Sequence, residues 1–309
     1  MPLISICIPA YKKPHYLSRL LDSISIQTFK DFEVIISDDS PDFSVKEILA
    51  EYENKFLLKY YRNQPSLGTP ANWNFAISKA VGKWIKLMHD DDWFANEKSL
   101  ELFALSALNS KNNFIFSGFI EVKSDNNIKK YVISYAEKLL LKKSPLNLFK
   151  KNFIGHPSTT LIKNNRQAWY DENIKWVVDF EFYIRCLKQT DFFVIEKPII
   201  NIGIHHDQVT KTAFRNPKIE IPENLYLISK LGENSLRNVF VYDYYWRLFR
   251  NLEMRTLKQV IQYSSANNIP KAIVKMLEIQ AKIPLTILKI GLVSKGLMLI
   301  SKHLVRPFS

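Results

Sequence analysis

Residues 3–39, LISICIPAYKKPHYLSRLLDSISIQTFKDFEVIISDD, alternate a strand pattern with a helix pattern. The runs at 3–10 and 32–37 are short, apolar and rich in β-branched residues, which is typical of strands buried on both faces. Between them, four aliphatic residues follow the i, i+3, i+4, i+7 spacing of one helix face: Leu17, Leu20, Leu21 and Ile24. Strand, helix and strand in this order predict a parallel βαβ unit with a right-handed crossover.

The same alternation continues to about residue 100. Strand patterns recur at 56–62 and 83–88, and helix patterns recur at 44–54 and 70–81. We therefore predict an α/β fold with a mostly parallel, Rossmann-like sheet flanked by helices. Sheets of this kind bind ligands at the carboxyl ends of their strands.

Three of the predicted strand ends carry polar or acidic residues. They are PAY at 9–11, SDDS at 37–40 and HDDD at 89–92. Adjacent carboxylates repel one another, and a divalent ion such as Mg²⁺ or Mn²⁺, held together with substrate phosphates, offsets that repulsion. A helix cap or an acidic turn would explain one such cluster alone. Two acidic strand ends on one sheet favour a site for a metal and a diphosphate.

The composition changes near residue 216, where the chain becomes mostly helical and basic. The net charge is +13, and residues 265–309 hold seven Lys or Arg and one acid. Residues 271–306 carry apolar runs broken by single lysines, a pattern that fits a helix in an anionic membrane interface or a basic helix packed on its own domain. We predict these domains: a catalytic domain at 1–215, with a nucleotide-binding half at 1–100 and an acceptor half at 101–215, and a helical C-terminal region at 216–309.

The cysteine content and the N-terminus bear on location. Cys7 and Cys186 lie in apolar stretches, which indicates reduced thiols rather than a disulfide framework. The first residues show no basic segment ahead of an apolar run, and no apolar stretch reaches the roughly 18 residues of a membrane span. We expect a cytoplasmic protein at the inner face of the cell membrane.

The ordered motifs in ISICIPAYKKPHYLSRLLDSISIQTFKDFEVIISDDS (4–40) and NQPSLGTPANWNFAISKAVGKWIKLMHDDDWF (63–94) closely resemble family 2 glycosyltransferases of the GT-A fold. The resemblance is strong over residues 3 to about 100 and weaker to about 215. It implies an inverting, metal-dependent hexosyltransferase that uses Mn²⁺ or Mg²⁺. It further implies a nucleoside diphosphate sugar donor, with UDP favoured, and a glycan or lipid-linked glycan acceptor in bacterial surface polysaccharide or oligosaccharide synthesis.

The resemblance also implies roles for individual residues. The positions that match the nucleotide-sugar contacts are Pro9, Tyr11, Asp39, Asn74 and Asp90. The positions that match the metal ligands are Asp91, Asp92 and His205. His89 stands where the family usually has another aspartate.

The segment VVDFEFYIR (177–185) resembles the family's helix that carries the catalytic base. Asp179 falls on the base, and Arg185 falls on an arginine that follows it. A helix N-cap is the alternative role for Asp179. Further along, Thr210 falls on a serine of the family, and His156 is either an acceptor-site residue or a loop histidine without a role.

Two other functions are consistent with parts of the sequence. A nucleotidyltransferase also uses paired aspartates and a metal, but it usually holds its triphosphate with a glycine-rich loop, and PAYKKPHY (9–16) has no glycine. A nucleic-acid-binding protein would explain the basic charge, but the strand-end clusters are acidic. We therefore expect a glycosyltransferase that does not bind nucleic acid.

Overall fold

The computed structural model describes residues 1–123, 127–165, 169–205, 214–264 and 269–305. Its contacts divide the chain into two compact units. The sheet unit comprises Met1–Leu139 and Phe153–His206, and the helical unit comprises Leu140–Asn152 and Asp207–Ser309. The predicted domain boundary at residue 215 stays a prediction.

The strands of the described residues form one nine-stranded sheet in the sheet unit. In chain order they are β1 (Ile4–Ala10), β2 (Phe32–Asp38), β3 (Leu57–Arg62), β4 (Trp84–Leu87), β5 (Trp93–Phe94), β6 (Phe114–Lys123), β7 (Ile128–Tyr131), β8 (Thr160–Lys163) and β9 (Phe192–Ile204). Their order across the sheet is β3-β2-β1-β4-β8-β6-β9-β5, and β7 pairs with β6.

The first four strands are parallel to one another. Ala10 lies opposite Asp38, and Cys7 lies opposite Leu87, so β1, β2 and β4 end at the same edge of the sheet. β8 then runs antiparallel to both β4 and β6, whereas β6 and β9 are parallel. The predicted α/β class is confirmed, and its parallel part lies in the strands that the sequence pattern marked most clearly.

The helices of the sheet unit cover this sheet. They are α1 (Pro14–Ser25), α2 (Ser44–Leu49), α3 (Ala71–Ser78), α4 (Ser99–Asn109), α5 (Tyr135–Lys143), which continues into the helical unit, and α6 (Val178–Leu187). The predicted apolar face of α1 is buried in the core. α2 ends five residues before the predicted limit of 54, because the Tyr52 N–H bonds to the Leu49 carbonyl and tightens the chain into a turn.

The helical unit consists of helices packed around aromatic residues. After α5 these are α7 (Pro217–Leu231), α8 (Val239–Asn251), α9 (Leu257–Ile261), α10 (Lys271–Ala281), α11 (Leu285–Leu288) and α12 (Gly291–Leu304). Tyr242, Tyr245, Trp246 and Phe249 of α8 are fully buried. The predicted helical C-terminal region is thus confirmed. Within the described ranges, no helix is both long and apolar enough to cross a membrane.

A buried carboxylate ties the first strands together. Glu33 of β2 is fully buried and accepts hydrogen bonds from the Ser5 hydroxyl at 2.6 Å and the Val81 N–H at 2.9 Å. It also pairs with the Lys59 ammonium at 2.8 Å. Burial raises the pKa of Glu33, but the bonds from Lys59, Ser5 and Val81 outweigh burial and hold the pKa below its usual value.

Replacing Glu33 with alanine should destabilise the protein by about 3 kcal/mol, since three donors lose a buried partner. Glu33→Gln should also be less stable than the wild type at neutral pH. Because the folded pKa is depressed, this part of the stability is present above the unfolded pKa and is lost as the pH falls through the folded pKa.

Urea unfolding at a series of acidic pH values measures the difference in the free energy of unfolding between the wild type and Glu33→Gln. This difference should shrink as the pH falls. Glu51→Gln, an exposed carboxylate on the same unit, is the matched control and should show no such convergence. A difference that stays constant with pH would contradict the assignment.

Candidate active site

The acidic residues after β4 fold into a tight turn. The Asp92 N–H bonds to the His89 carbonyl at 3.1 Å, which brings the side chains of the turn together. One potential ligand atom from each of His89, Asp91 and Asp92 lies within 4.8 Å of the other two. The sequence predicted Asp91 and Asp92 as ligands, and the structure adds His89 to the group.

Residues from distant parts of the chain hold this turn. Ser158 accepts a hydrogen bond from the His89 N–H at 3.0 Å and bonds to the Asp92 carboxylate. The Gly203 N–H donates to Asp92 Oδ1 at 3.2 Å. Arg19 Nη2 donates to the Asp91 carbonyl at 2.8 Å, and its guanidinium lies 3.6 Å from the centre of the Trp93 ring.

Position 203 requires glycine because its backbone lies against the main chain of the acidic turn. A Cβ there would lie 2.5 Å from the Asp91 carbonyl oxygen and 3.2 Å from Arg19 Nη2. β9 can therefore approach the acidic turn only because residue 203 lacks a side chain.

The charges in the turn are poorly solvated. Burial and the charge of Asp91 raise the pKa of Asp92 well above its ordinary value and that of Asp90 to about 7. Burial lowers the pKa of His89, so its imidazole stays neutral. Below the turn, the fully buried Lys86 of β4 donates to the Ser158 carbonyl. Lys13 near Asp90 and Lys86 near Asp92 lower these pKa values by less than burial raises them, and a divalent cation would add positive charge at the turn.

The donor set fits a divalent metal ion. Two carboxylates and a neutral imidazole converge, and these are accepted ligands of first-row divalent ions. His89 Nε2 is buried and has no hydrogen-bond partner among the described residues. An unpaired buried ring nitrogen is costly, and in the tautomer that leaves Nε2 unprotonated it can bind a metal ion.

His205 approaches the turn from the end of β9. Its Nε2 lies 2.7 Å from Asp91 Oδ2, and its ring stacks on Tyr16 with centroids 4.7 Å apart. In this position it orients the Asp91 carboxylate. Its role as a metal ligand stays a prediction, and Thr210 lies outside the described residues.

The residues predicted to bind the nucleotide lie along the same sheet edge. The Tyr11 N–H donates to Asp90 Oδ2 at 3.2 Å, which joins the end of β1 to the acidic turn. Pro9, in β1, is buried, whereas half of the Tyr11 surface is exposed. Lys12 and Lys13 follow with φ of 55° and 59°, a left-handed conformation that non-glycine residues adopt mainly at turns and functional sites.

Two predicted nucleotide-binding residues already have partners in the structure. The Asp39 carboxylate accepts from Asn63 Nδ2 and from the N–H groups of Leu67 and Gly68, at 2.7 to 3.1 Å. It therefore closes the 63–68 loop over the end of β2. The Asn74 amide bonds to both main-chain groups of Tyr170 and to Glu172. Donor contacts by Asp39 and Asn74 stay predictions.

Asp179 lies in the first turn of α6. Val177 is the N-cap of this helix, so Asp179 does not take the capping role that was its alternative. Burial raises the pKa of Asp179 to about 6, while a hydrogen bond from the Phe180 N–H acts in the opposite direction. Arg185 pairs with Glu181 at 2.9 Å on the same helix.

A chain of aromatic contacts links α6 to the acidic turn. The His89 ring lies 4.7 Å from Trp73, Trp73 lies 5.1 Å from Tyr170, and Tyr170 stacks on Phe182 of α6 at 4.1 Å. His156 packs edge-on against Phe119, and burial together with His89 lowers the pKa of His156 to about 4. This packing fixes α6 and its carboxylate relative to the turn.

Sequence reasoning missed the residues that support the turn: Ser158, Arg19, Lys86 and Trp73. Lys86 did leave a signal, because a lysine inside a strand that is otherwise apolar is unusual without a buried partner. Ser158, Arg19 and Trp73 contact the turn only in the folded chain, and no sequence pattern pointed to them.

Comparison with known proteins assigns this chain to a family. A sequence profile described as glycosyl transferase family 2 matches residues 5–167. An uncharacterized glycosyltransferase of Methanocaldococcus jannaschii is 28% identical over 254 residues, which cover 80% of this chain and 85% of the relative. A GalNAc(5)-diNAcBac-PP-undecaprenol beta-1,3-glucosyltransferase of Campylobacter jejuni is 26% identical over 253 residues, with 77% and 76% covered.

Two solved structures share the fold. S. aureus TarS 1-349, crystallised with UDP-GlcNAc, superposes with a TM-score of 0.65 at 16% identity and covers 100% of this chain and 93% of its own. A mannosyltransferase of Pyrobaculum calidifontis, in complex with GDP-Man and Mn²⁺, gives 0.59 at 13% identity with 98% and 86% covered. At these identities the likeness concerns the fold alone.

Gly203→Ala should destabilise the protein by about 1–3 kcal/mol, because the new methyl group overlaps the Asp91 carbonyl and forces β9 or the turn to move. Urea unfolding measures the change. Gly296→Ala is the matched control, since a Cβ there meets nothing within 4 Å. That helical substitution should stabilise by up to about 1 kcal/mol. Equal stability of Gly203→Ala and the wild type would contradict the close approach.

Proposed function

The chain belongs to glycosyl transferase family 2 and is a glycosyltransferase, and from this premise we propose that it is an inverting, metal-dependent enzyme. The observation that carries the proposal is the convergence of His89, Asp91 and Asp92 at the edge where β1, β2 and β4 end. That membership also disfavours the nucleotidyltransferase and nucleic-acid-binding alternatives.

The proposed donor is a nucleoside diphosphate sugar. UDP is favoured as the nucleotide because TarS 1-349, which was crystallised with UDP-GlcNAc, has a TM-score of 0.65 against 0.59 for the mannosyltransferase with GDP-Man. Pro9, Tyr11, Asp39, Asn74 and Asp90 are the proposed nucleotide-sugar contacts. To bind the donor, Asp39 and Asn74 would have to exchange some of their present hydrogen bonds or form additional ones.

The proposed chemical step uses Asp179 as the base. Its carboxylate takes the proton of the acceptor hydroxyl while that oxygen attacks the anomeric carbon from the face opposite the diphosphate. A new C–O bond forms, the bond to the diphosphate breaks, and the nucleoside diphosphate leaves with both bonding electrons. His89, Asp91 and Asp92 would hold a divalent ion, Mn²⁺ or Mg²⁺, which would supply positive charge for the departing diphosphate.

The raised pKa of Asp179 suits this role, because a base with a pKa of about 6 is largely ionised at neutral pH and still holds a proton better than an ordinary aspartate. The proposed acceptor is a glycan or lipid-linked glycan of bacterial surface polysaccharide synthesis. Its support is the C. jejuni relative, whose name specifies an undecaprenol-linked acceptor.

Asp91→Ala and Asp179→Asn should each reduce sugar transfer by at least about a hundredfold, because each removes a group that acts in the transition state. Wild-type transfer should fall as the pH drops through about 6, where Asp179 gains its proton. Transfer from a panel of UDP and GDP sugars with Mn²⁺ measures both effects. Asp191→Asn, a surface carboxylate of the same unit, is the control. Wild-type rates in both site variants would overturn the site assignment.

We further propose that residues 271–306 bind an anionic membrane surface, and α12 provides the specific observation. This helix has its small polar residues inside: Ser301 bonds to the Tyr242 hydroxyl at 2.7 Å, and Ser294 bonds to Trp246 Nε1 at 3.0 Å. Met298 is also buried, but most of its other large apolar residues are exposed, with Leu292 at 88% and Leu304 at 61%.

The charge of this face favours lipid as its occupant. At 100° per residue, Lys295 and Lys302 border the exposed sector that contains Leu292, Leu299 and Ile300. α12 contains no acidic residue. Lysines beside an exposed apolar sector are suited to anionic headgroups, with each contributing about 1 kcal/mol near such a surface. Arg306 lies outside the described residues.

Vesicle flotation tests this surface. The full chain should float with phosphatidylglycerol-containing vesicles and much less with pure phosphatidylcholine. Leu292→Ser combined with Ile300→Ser should abolish flotation, and Lys295→Gln combined with Lys302→Gln should weaken it. Leu105→Ser combined with Leu108→Ser, two exposed leucines of α4, is the matched control. A concentration-dependent dimer that Leu292→Ser dissociates, without flotation, would assign the face to a second copy instead.

A further inference from the structure

The side chain of His89 occupies an unusual position for a histidine. Its main-chain N–H is held by Ser158 Oγ at 3.0 Å, and its ring packs on Trp73 at 4.7 Å. These two contacts fix the direction of the imidazole. Its Nε2 is buried, and within the part of the chain that the structure describes it has no hydrogen-bond partner.

The neighbours of His89 in the cluster are carboxylate oxygens. One ligand atom each from His89, Asp91 and Asp92 lies within 4.8 Å of the others. Two ligands of one ion, each about 2.1 Å from it, are separated by roughly 3–4 Å. Small rotations of these side chains would therefore bring all three atoms to one ion.

The two histidines near the turn differ in what their nitrogens contact. His205 Nε2 lies 2.7 Å from Asp91 Oδ2, so this nitrogen is engaged with a carboxylate. His89 Nε2, in contrast, has no hydrogen-bond partner among the described residues, and one of the two His89 ring nitrogens lies in the cluster. Of the two, His89 is better placed to bind an ion without giving up an existing contact.

We propose that His89 supplies an imidazole nitrogen to the metal ion and thereby makes the site selective for first-row transition metals such as Mn²⁺ or Co²⁺ over Mg²⁺. The inference rests on the metal site of the proposed function and adds the residue that determines the choice of metal. Mg²⁺ strongly prefers oxygen ligands in a regular octahedron, whereas imidazole nitrogen is a good ligand for the later first-row ions. An aspartate at position 89 would give an all-oxygen site instead.

Electron spin echo spectroscopy of the full chain with MnCl₂ alone tests the ligand. After removal of metals with a chelator, the wild type should bind Mn²⁺ and show modulation from a coordinated ¹⁴N nucleus. His89→Asp should bind Mn²⁺ without that modulation. His156→Gln, a neighbouring histidine that packs on Phe119, is the matched control and should keep it. His205→Gln tests the other histidine beside the turn and should also keep it.

Competition between MnCl₂ and MgCl₂ tests the selectivity. Changing His89 to aspartate should reduce the preference for Mn²⁺ over Mg²⁺ on the order of tenfold, because an oxygen replaces the nitrogen. Circular dichroism melting checks that His89→Asp is folded, and His89→Asn serves in its place if it is not.

The outcomes separate this inference from the proposed function. Loss of ¹⁴N modulation in His205→Gln but not in His89→Asp would overturn it, as would a wild type that binds no Mn²⁺ or an unchanged metal preference. Sugar transfer is not among the readouts. A protein with His89-dependent modulation that transfers no sugar would keep this inference and refute the proposed function.

Discussion

The close approach of Gly203 to the main-chain carbonyl of Asp91 is the constraint on which the site depends. Because a Cβ at 203 would lie only 2.5 Å from that oxygen, the end of β9 can lie directly against the acidic turn. The Gly203 N–H then reaches Asp92, and two residues later His205 reaches the Asp91 carboxylate. The parallel strands that end at the turn and the strand β9 are thereby joined at one point.

The same close packing makes it costly to keep the aspartates of the turn charged. Burial and the charge of Asp91 raise the pKa values of Asp90 and Asp92, although the hydrogen bonds from Ser158 and Gly203 to Asp92 act in the opposite direction. Glu33, also buried in the sheet, has the opposite shift because Lys59, Ser5 and Val81 supply enough donors. The contrast shows what distinguishes the site: its carboxylates are buried with fewer compensating donors, which leaves them able to hold a cation.

The helical unit combines an ordinary core with an unusual final helix. The described part of the basic segment forms three helices, at Lys271–Ala281, Leu285–Leu288 and Gly291–Leu304, and the last of them turns its serines inward. A pattern of apolar residues and lysines predicts an amphipathic helix but does not say which face is buried. Hydrogen-bond partners on α8 decide it here, because Tyr242 and Trp246 offer polar atoms that serine can meet and leucine cannot.

The sequence by itself determined the α/β class, the first four strands and their helices, the location of the acidic edge and the family, because these follow from short-range periodicity and ordered motifs. It also predicted Asp91 and Asp92 as metal ligands, through the resemblance of the motif at 89–92 to the family's acidic motif. Only the tertiary structure brought His89 into the cluster and placed Ser158, Arg19, Lys86 and Gly203 around it. Those contacts join residues far apart in the chain, and their distances are set by packing, which local sequence patterns do not encode.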